Sequence, residues 1–271
     1  MSTNNMRVAL VTGASSGIGE ATAARLAEAG YRVFGTSRRI APVRPRSFAM
    51  LSLDVTSDAS VEAVVKEVLR QAGRIDLLVN NAGFGVAPAG SEESSLDQAR
   101  AIFDTNFFGI VRMTRAVLPH MRQQRSGRII NIGSVLGFLP LPYVALYSAT
   151  KHAVAGYSES LDHELRTAGI RVSVIEPSYI NTPFEANLMK PDTPLDAYRE
   201  ICAKVEARVK EVMVEADGPD VVAECVVKAA MADHPKVRYA PGQASLLRML
   251  RRFAPAGVLD AGVRKDLRLE A

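Results

Sequence analysis

Residues 6–30 constrain the fold more than any other stretch of this chain. An apolar, β-branched run, M-R-V-A-L-V-T, breaks into the glycine-rich turn G-A-S-S-G-I-G. That turn passes into E-A-T-A-A-R-L-A-E-A, whose apolar residues recur at helical spacing up to Gly30. A strand, a turn of minimal bulk and a helix, in that order, open a βαβ unit and commit the chain to a parallel sheet. Glycine lets backbone approach a ligand closely, and a helix N-terminus offers N–H groups and a positive dipole end to a phosphate. Ser16 is placed to cap the helix. The glycine spacing is G-x-x-x-G-x-G, so the signal comes from its position between strand and helix.

The same alternation continues along the chain. Strands are predicted over 32–37, 48–53, 75–79, 128–132, 172–175 and 237–239, with helices over 61–71, 96–121 and from Tyr147 onward. With 271 residues, 48% hydrophobic and 23% charged, and no Pro/Gly/Ser-rich linker, the expectation is one domain over 1–271. The fold class expected is α/β, a Rossmann-type doubly wound parallel sheet with helices on both faces. The start, M-S-T-N-N-M-R, has no apolar signal region, and no apolar run approaches a membrane span, so a cytoplasmic protein is expected. Cys202 and Cys225 have neither a disulfide framework nor a zinc spacing, and His120, His152, His163 and His234 form no metal pattern. No metal is expected. A net charge of +4 is mild; it argues against nucleic acid and suits an anionic cofactor.

Several residues carry chemistry. Where a dinucleotide unit that takes NAD has an acid for the ribose hydroxyls, this chain has Ser37, Arg38 and Arg39. A guanidinium grips a 2′-phosphate with a planar, charge-assisted fork, so the expected cofactor is NADP(H) in preference to NAD(H). Asp54 and Val55 end the third strand, where a carboxylate can accept from the adenine amine. Asn80-Asn81-Ala82-Gly83 is a turn with little bulk, suited to a backbone passing close to a flat cofactor. Asn106 falls in mid-helix, where an amide needs partners. Ser134 ends the strand over 128–132, and Tyr147-x-x-x-Lys151 puts a phenol and an ammonium on one helix face. A cation about 4 Å away is worth roughly 4 kcal/mol at an effective dielectric of ~20, enough to bring a tyrosine into acid–base range.

Together T-G-A-S-S-G-I-G, D-V at 54–55, N-N-A-G at 80–83, Asn106, Ser134, Y-S-A-T-K at 147–151 and P-S-Y-I-N-T at 177–182 resemble the classical short-chain dehydrogenase/reductase family, from residue 6 to about 242. The resemblance implies a hydride transfer between nicotinamide and a ketone, aldehyde or secondary alcohol. Tyr147 would be the general acid or base, Ser134 would bond the substrate oxygen, Lys151 would lower the Tyr147 pKa and hold the ribose, and Asn106 would keep a water behind Lys151. Gly13, Ser15, Ser16, Gly17, Ile18 and Gly19 would cradle the pyrophosphate. Asn81, Ala82 and Gly83 would line the adenosine ribose, and Pro177, Ile180 and Thr182 the carboxamide. Two departures stand out. Ser178 replaces a frequent glycine, which raises the question of a strained φ > 0. Ser16 stands where several NADP-preferring members carry a base.

The segment 184–217 would cover the substrate, and Leu136, Tyr143 and Phe184 would line it, pointing to a hydrophobic, steroid-, retinoid- or lipid-like compound. The extension over 243–271 makes the chain similar to the 17β-hydroxysteroid and retinol dehydrogenase-like branch. Its start, Q-A-S-L-L-R-M-L-R-R-F, is a basic amphipathic helix; packing beside the cleft or on a second subunit is preferred over a membrane surface. The helices of Asn106 and Lys151 form the usual interface of the family, which implies a homodimer or homotetramer. The alternatives are an NADP(H)-binding sensor without turnover, a reductase of small carbonyls, and an epimerase or dehydratase of the extended branch.

Overall fold

The computed structural model describes residues 6–39, 45–184 and 188–269. The expectations for 184–217 and 243–271 fall outside the described residues at 185–187 and 270–271. Seven parallel strands form one sheet in the order β3-β2-β1-β4-β5-β6-β7. They are β1 (Val8–Val11), β2 (Arg32–Ser37), β3 (Ala49–Ser52), β4 (Leu77–Asn80), β5 (Gly127–Ile132), β6 (Ile170–Ile175) and β7 (Arg238–Tyr239). The order reverses between β1 and β4, which opens a crevice at the carboxyl ends of those strands.

β1 shows why the sheet is two-sided. Its residues are all buried, but Val8 and Leu10 pack with one core and Ala9 and Val11 with the other. The first core is closed by α2 (Asp58–Ala72), α4 (Gly109–Gln124) and α5 (Ala145–Leu165), through Val61, Val65, Met113, Val117 and Leu161. The second is closed by α1 (Gly17–Glu28) and α7 (Asp220–Met231), through Ala23, Leu26, Val222 and Val226. Period-2 alternation in a strand with apolar residues on both sides is the pattern of a sheet covered on both faces. Among the described residues no helix is long and apolar enough to cross a membrane.

One helix departs from its sequence pattern. The helix predicted over 96–121 is α3 (Leu96–Phe103), a π-helical turn at Asp104–Phe108, and then α4. Widened turns of this kind collect at functional sites. After β6 come α6 (Asp196–Val214) and α7, and after β7 come α8 (Ala244–Phe253) and α9 (Ala256–Asp266).

α5 is anchored at its C-terminal half by Asp162, which is fully buried. Its carboxylate accepts from Val172 N at 2.9 Å, Arg171 Nε at 2.8 Å and Arg166 Nη2 at 2.6 Å. Burial opposes the charge, but the bonds from Arg171, Val172 N and Arg166 outweigh it and hold the carboxyl below its ordinary value. A depressed carboxylate stabilises the fold above the unfolded-state pKa of about 4 and loses that contribution as pH falls through the lower folded value. Asp162→Asn is expected to cost about 3 kcal/mol in urea unfolding at pH 7. The gap from the parent should narrow below about pH 4; an equal gap at both pH values would exclude this anchoring role.

Candidate active site

The crevice between β1 and β4 is laced by one hydroxyl and one amide. Thr12 Oγ1 accepts from Asn81 N at 2.9 Å and Ala82 N at 3.0 Å. Asn81 Nδ2 returns to the carbonyls of Thr12 and Gly13, both at 3.0 Å. The two loops touch so closely that a Cβ on Gly13, whose φ is +67°, would lie 2.9 Å from Ala82 Cα, and one on Gly19 would lie 2.2 Å from the Gly13 carbonyl oxygen. Only glycine fits either position. Ser16 stands at the N-cap of α1, yet its exposed side chain makes no capping bond, so the capping expected of it is not seen. The first-turn N–H groups of α1 have no intrahelical acceptors by construction and face the glycine turn, which is the donor set a pyrophosphate needs.

The cradle is closed from the far side by the loop after β6. A Cβ on Gly17 would meet Thr182 Cβ at 3.2 Å, and Ile180 packs into the second core while bridging to Asp217. Pro177 accepts from Val135 N at 2.9 Å. Ser178 is not among the positive-φ residues, so glycine is not required there and the strain anticipated for it is absent.

At the other end, Ser37 closes β2 half-buried, and Arg38 and Arg39 follow exposed. Asp54, expected to face the adenine, spends Oδ1 on Thr56 N at 3.0 Å and Thr56 Oγ1 at 2.7 Å. Those bonds hold its carboxyl below the ordinary value, with the Arg38 charge contributing. Val55 is buried against Gly109 at the start of α4.

The catalytic candidates meet where β5 ends. Ser134 is extended (φ −168°, ψ 160°), and its Oγ accepts from Leu136 N at 3.1 Å, capping a short 3-10 turn over Val135–Gly137. That turn rests on α5: a Cβ on Gly137 would lie 2.9 Å from the Lys151 carbonyl oxygen. Tyr147 lies in the first turn of α5 and Lys151 one turn later. Lys151 is buried, its Nζ donates to Ile132 O at 3.0 Å, and it sits 5.4 Å from the centre of the Tyr147 ring. Burial pushes the Lys151 ammonium down to about 8 and the Tyr147 phenol above its usual value. The protein alone therefore does not show the lowered Tyr147 pKa expected from the sequence. Loss of hydration on burial accounts for both shifts.

The π turn places Asn106 on the loop after β4. Its Oδ1 accepts from Phe84 N at 3.0 Å and its Nδ2 donates to Phe84 O at 2.8 Å. Nδ2 also reaches Thr150 Oγ1 at 3.5 Å, and Thr150 Oγ1 donates to Tyr147 O at 2.8 Å. The Asn106 amide is thus spent on joining the Gly83–Phe84 backbone to the first turn of α5. Gly83 is small because a Cβ there would press on Asn106 Oδ1 at 3.0 Å.

Two groups were missed from the sequence. Asn80 Nδ2 donates to Asn131 Oδ1 and Asn131 Nδ2 to Ser158 Oγ, each at 2.9 Å, a buried polar line from β4 through β5 to α5. The line ties α5 to the sheet, although the buried Asn80 Oδ1 itself has no hydrogen-bond partner. The second is Glu93, buried, whose carboxylate accepts from Gly90 N at 2.6 Å and Leu195 N at 2.8 Å. Its carbonyl accepts from Thr193 N and Thr193 Oγ1. Its one signal is an acid three residues after a loop glycine, the N3 position of a helical turn.

Glu93 clasps the segment expected to cover the substrate. Met189 N donates to Gly85 O, and Ala87 N to Met189 O, each at 2.9 Å. Ser95 donates through both N and Oγ to Asp192. The Phe184 ring lies 6.0 Å from that of Tyr147, and Tyr143, held at φ +63°, meets Tyr198 of α6 at 6.5 Å. Leu136 is half-buried beside Ser134. A left-handed aromatic residue is strained, and strain of this kind persists where surroundings over-determine it.

Residues 7–193 match the family described as short chain dehydrogenase. The chain belongs to that family. It is 44% identical to a 3-ketodihydrosphingosine reductase of Bacteroides thetaiotaomicron over 185 residues, 67% of this chain and 66% of that protein, just under two-thirds of its length. It is 34% identical to bovine retinol dehydrogenase 8 over 257 residues, 86% of this chain and 80% of that one. A solved short-chain dehydrogenase from Streptomyces avermitilis superposes with a TM-score of 0.79 at 33% identity, covering 99% of this chain and 96% of that one. Similar solved structures include a serine dehydrogenase with NADP+ (28% identical, TM-score 0.73, covering 86% and 93%) and a Brucella melitensis 3-ketoacyl-(acyl-carrier-protein) reductase with NADH (29%, TM-score 0.72, covering 90% and 100%). The protein is an oxidoreductase acting on CH–OH groups with NAD(P) as acceptor.

Glu93→Ala should release the covering segment without unfolding the sheet. Amide exchange at Gly90 and Leu195 is expected to rise at least about tenfold, since the two lost bonds are worth roughly 2 kcal/mol. Unchanged exchange there would show that Glu93 does not hold it.

Proposed function

We propose that this protein is an NADP(H)-dependent carbonyl reductase or alcohol dehydrogenase for a hydrophobic, lipid-like substrate. The observation that carries the reading is the apolar cover on the acid: the Phe184 ring stands against Tyr147, and Leu136 is half-buried beside Ser134. The relatives named for a sphingoid ketone and for retinol support the same substrate class. A nicotinamide nucleotide, when bound, supplies or accepts the hydride. Tyr147 Oη donates the proton that the reduced carbonyl oxygen takes up, or removes it in the reverse direction. The Ser134 hydroxyl, whose oxygen accepts from Leu136 N, is oriented to donate to the same oxygen. Lys151, whose pKa lies near 8, keeps a cation beside the phenol at neutral pH and is positioned to hold the ribose. Asn106 joins Phe84 to Thr150 of α5, behind the turn that carries Tyr147.

Arg38, exposed at the end of β2 and close enough to influence Asp54, supports a preference for the 2′-phosphate, with Ser37 and Arg39 beside it. A homodimer or homotetramer is part of the proposal. Exposed Leu96 and Phe108 border a depression of about 650 Å³ on α3 and the π turn, apolar surface suited to a second subunit.

The test is nucleotide oxidation with NADPH and NADH in parallel, across sphingoid and steroid ketones, retinal, medium-chain aldehydes and small keto esters. Turnover is expected with a hydrophobic class, and Tyr147→Phe should lower kcat by about 10²–10⁴-fold while leaving NADPH binding intact. Turnover confined to small keto esters would refute the lipid reading, and near-normal activity of Tyr147→Phe would refute its acid–base role. Arg38→Asp should lower the NADPH/NADH ratio of kcat/KM by about 10–100-fold, the worth of one charge-assisted contact. An unchanged ratio would show that Arg38 does not read the phosphate.

A further inference from the structure

α8 is built inside out. Ala244, Leu247, Arg248 and Arg251 share the face turned to the protein: Ala244 is buried, Arg248 reaches toward the buried Glu176 at 3.8 Å, and Arg251 Nε donates to Phe138 O at 3.0 Å. The opposite stripe, Leu246, Met249, Leu250 and Phe253, follows i, i+3, i+4, i+7 spacing and is 55%, 52%, 41% and 75% exposed. A globular helix ordinarily buries such a stripe. Here the arginines tie the helix down and the apolar residues point away.

The charge around the stripe is mainly positive. No acidic residue occurs between Asp233 and Asp260. Lys228, Lys236 and Arg252 line a groove of about 610 Å³ together with Met249 and Phe253. Glu224 also lines this groove, but its carboxylate is paired with Arg25 at 3.7 Å. A second copy of this chain fits poorly. A two-fold contact through α8 would oppose like charges, and one stripe on a ten-residue helix, about 15 Å long, offers far less than the roughly 800 Å² per partner of a stable interface. A fluid anionic surface needs only a few inserted apolar side chains flanked by cations.

We infer that α8 docks the protein on an anionic lipid surface, with Leu246, Met249, Leu250 and Phe253 entering the acyl boundary and Arg252, Lys228 and Lys236 meeting phosphates. The inference is independent of the proposed substrate, because these residues lie outside the cofactor and catalytic sites. Its consequence is location: α8 is bound to Phe138, so the docked enzyme would hold the segment after Ser134 next to the lipid.

The test is co-sedimentation of the full chain with phosphatidylcholine vesicles, with and without about one-third phosphatidylglycerol. Partitioning is expected to be at least about tenfold stronger on the anionic vesicles and to weaken with added salt. Leu250→Ser with Phe253→Ser, and separately Arg252→Glu, should each lower it about tenfold while the melting temperature stays within about a degree. Equal partitioning on neutral and anionic vesicles, no partitioning, or unaltered partitioning of both variants would overturn the inference. So would a double variant that splits an oligomer in light scattering, which would assign the stripe to a second copy.

Discussion

A desolvated ammonium needs a partner, and Lys151 finds it in the carbonyl that ends β5. That contact ties the helix that carries Tyr147 to the strand that delivers Ser134, so acid and hydroxyl cannot drift apart independently. The rest of the polar interior serves the same registration. Asp162 holds the far half of α5 to β6, the Asn80–Asn131–Ser158 line ties it to the sheet, and Asn106 with Thr150 holds its first turn. The sheet provides the rigid base for all of them, because both of its faces are sealed by apolar side chains.

Much of this was legible from residue order. The strands fall within one or two residues of their apolar runs, because a buried parallel strand is nearly the only use for a short β-branched stretch bounded by glycine or an amide. The glycine turn and the loop at 80–83 were each read as a close approach to a cofactor, but their tie to one another, the Thr12 hydroxyl, gave no signal, since a threonine ending a strand is unremarkable. The helix over 96–121 hid a π turn because an extra residue in one turn scarcely disturbs a hydrophobic pattern 26 residues long. Glu93 could not be singled out, since burial of a lone acid depends on amides about a hundred residues away.

Electrostatics was the least legible layer. Spacing put Tyr147 and Lys151 on one face, which suggested attraction. It carried no information on how dry that face is, and dryness decides the direction of both pKa shifts. Asp54 shows the same limit on a smaller scale: its position at a strand end was clear, but the threonine two residues on takes the carboxylate oxygen first.

The covering segment is stitched down mainly through backbone atoms. Met189, Thr193 and Leu195 are held by their own N–H groups, and Met189 also by its carbonyl. A clasp that ignores side-chain identity leaves the inner surface of the segment free to vary. Lineages diverging from such a scaffold can vary the residues between 188 and 195 without dismantling the backbone bonds that hold the segment down.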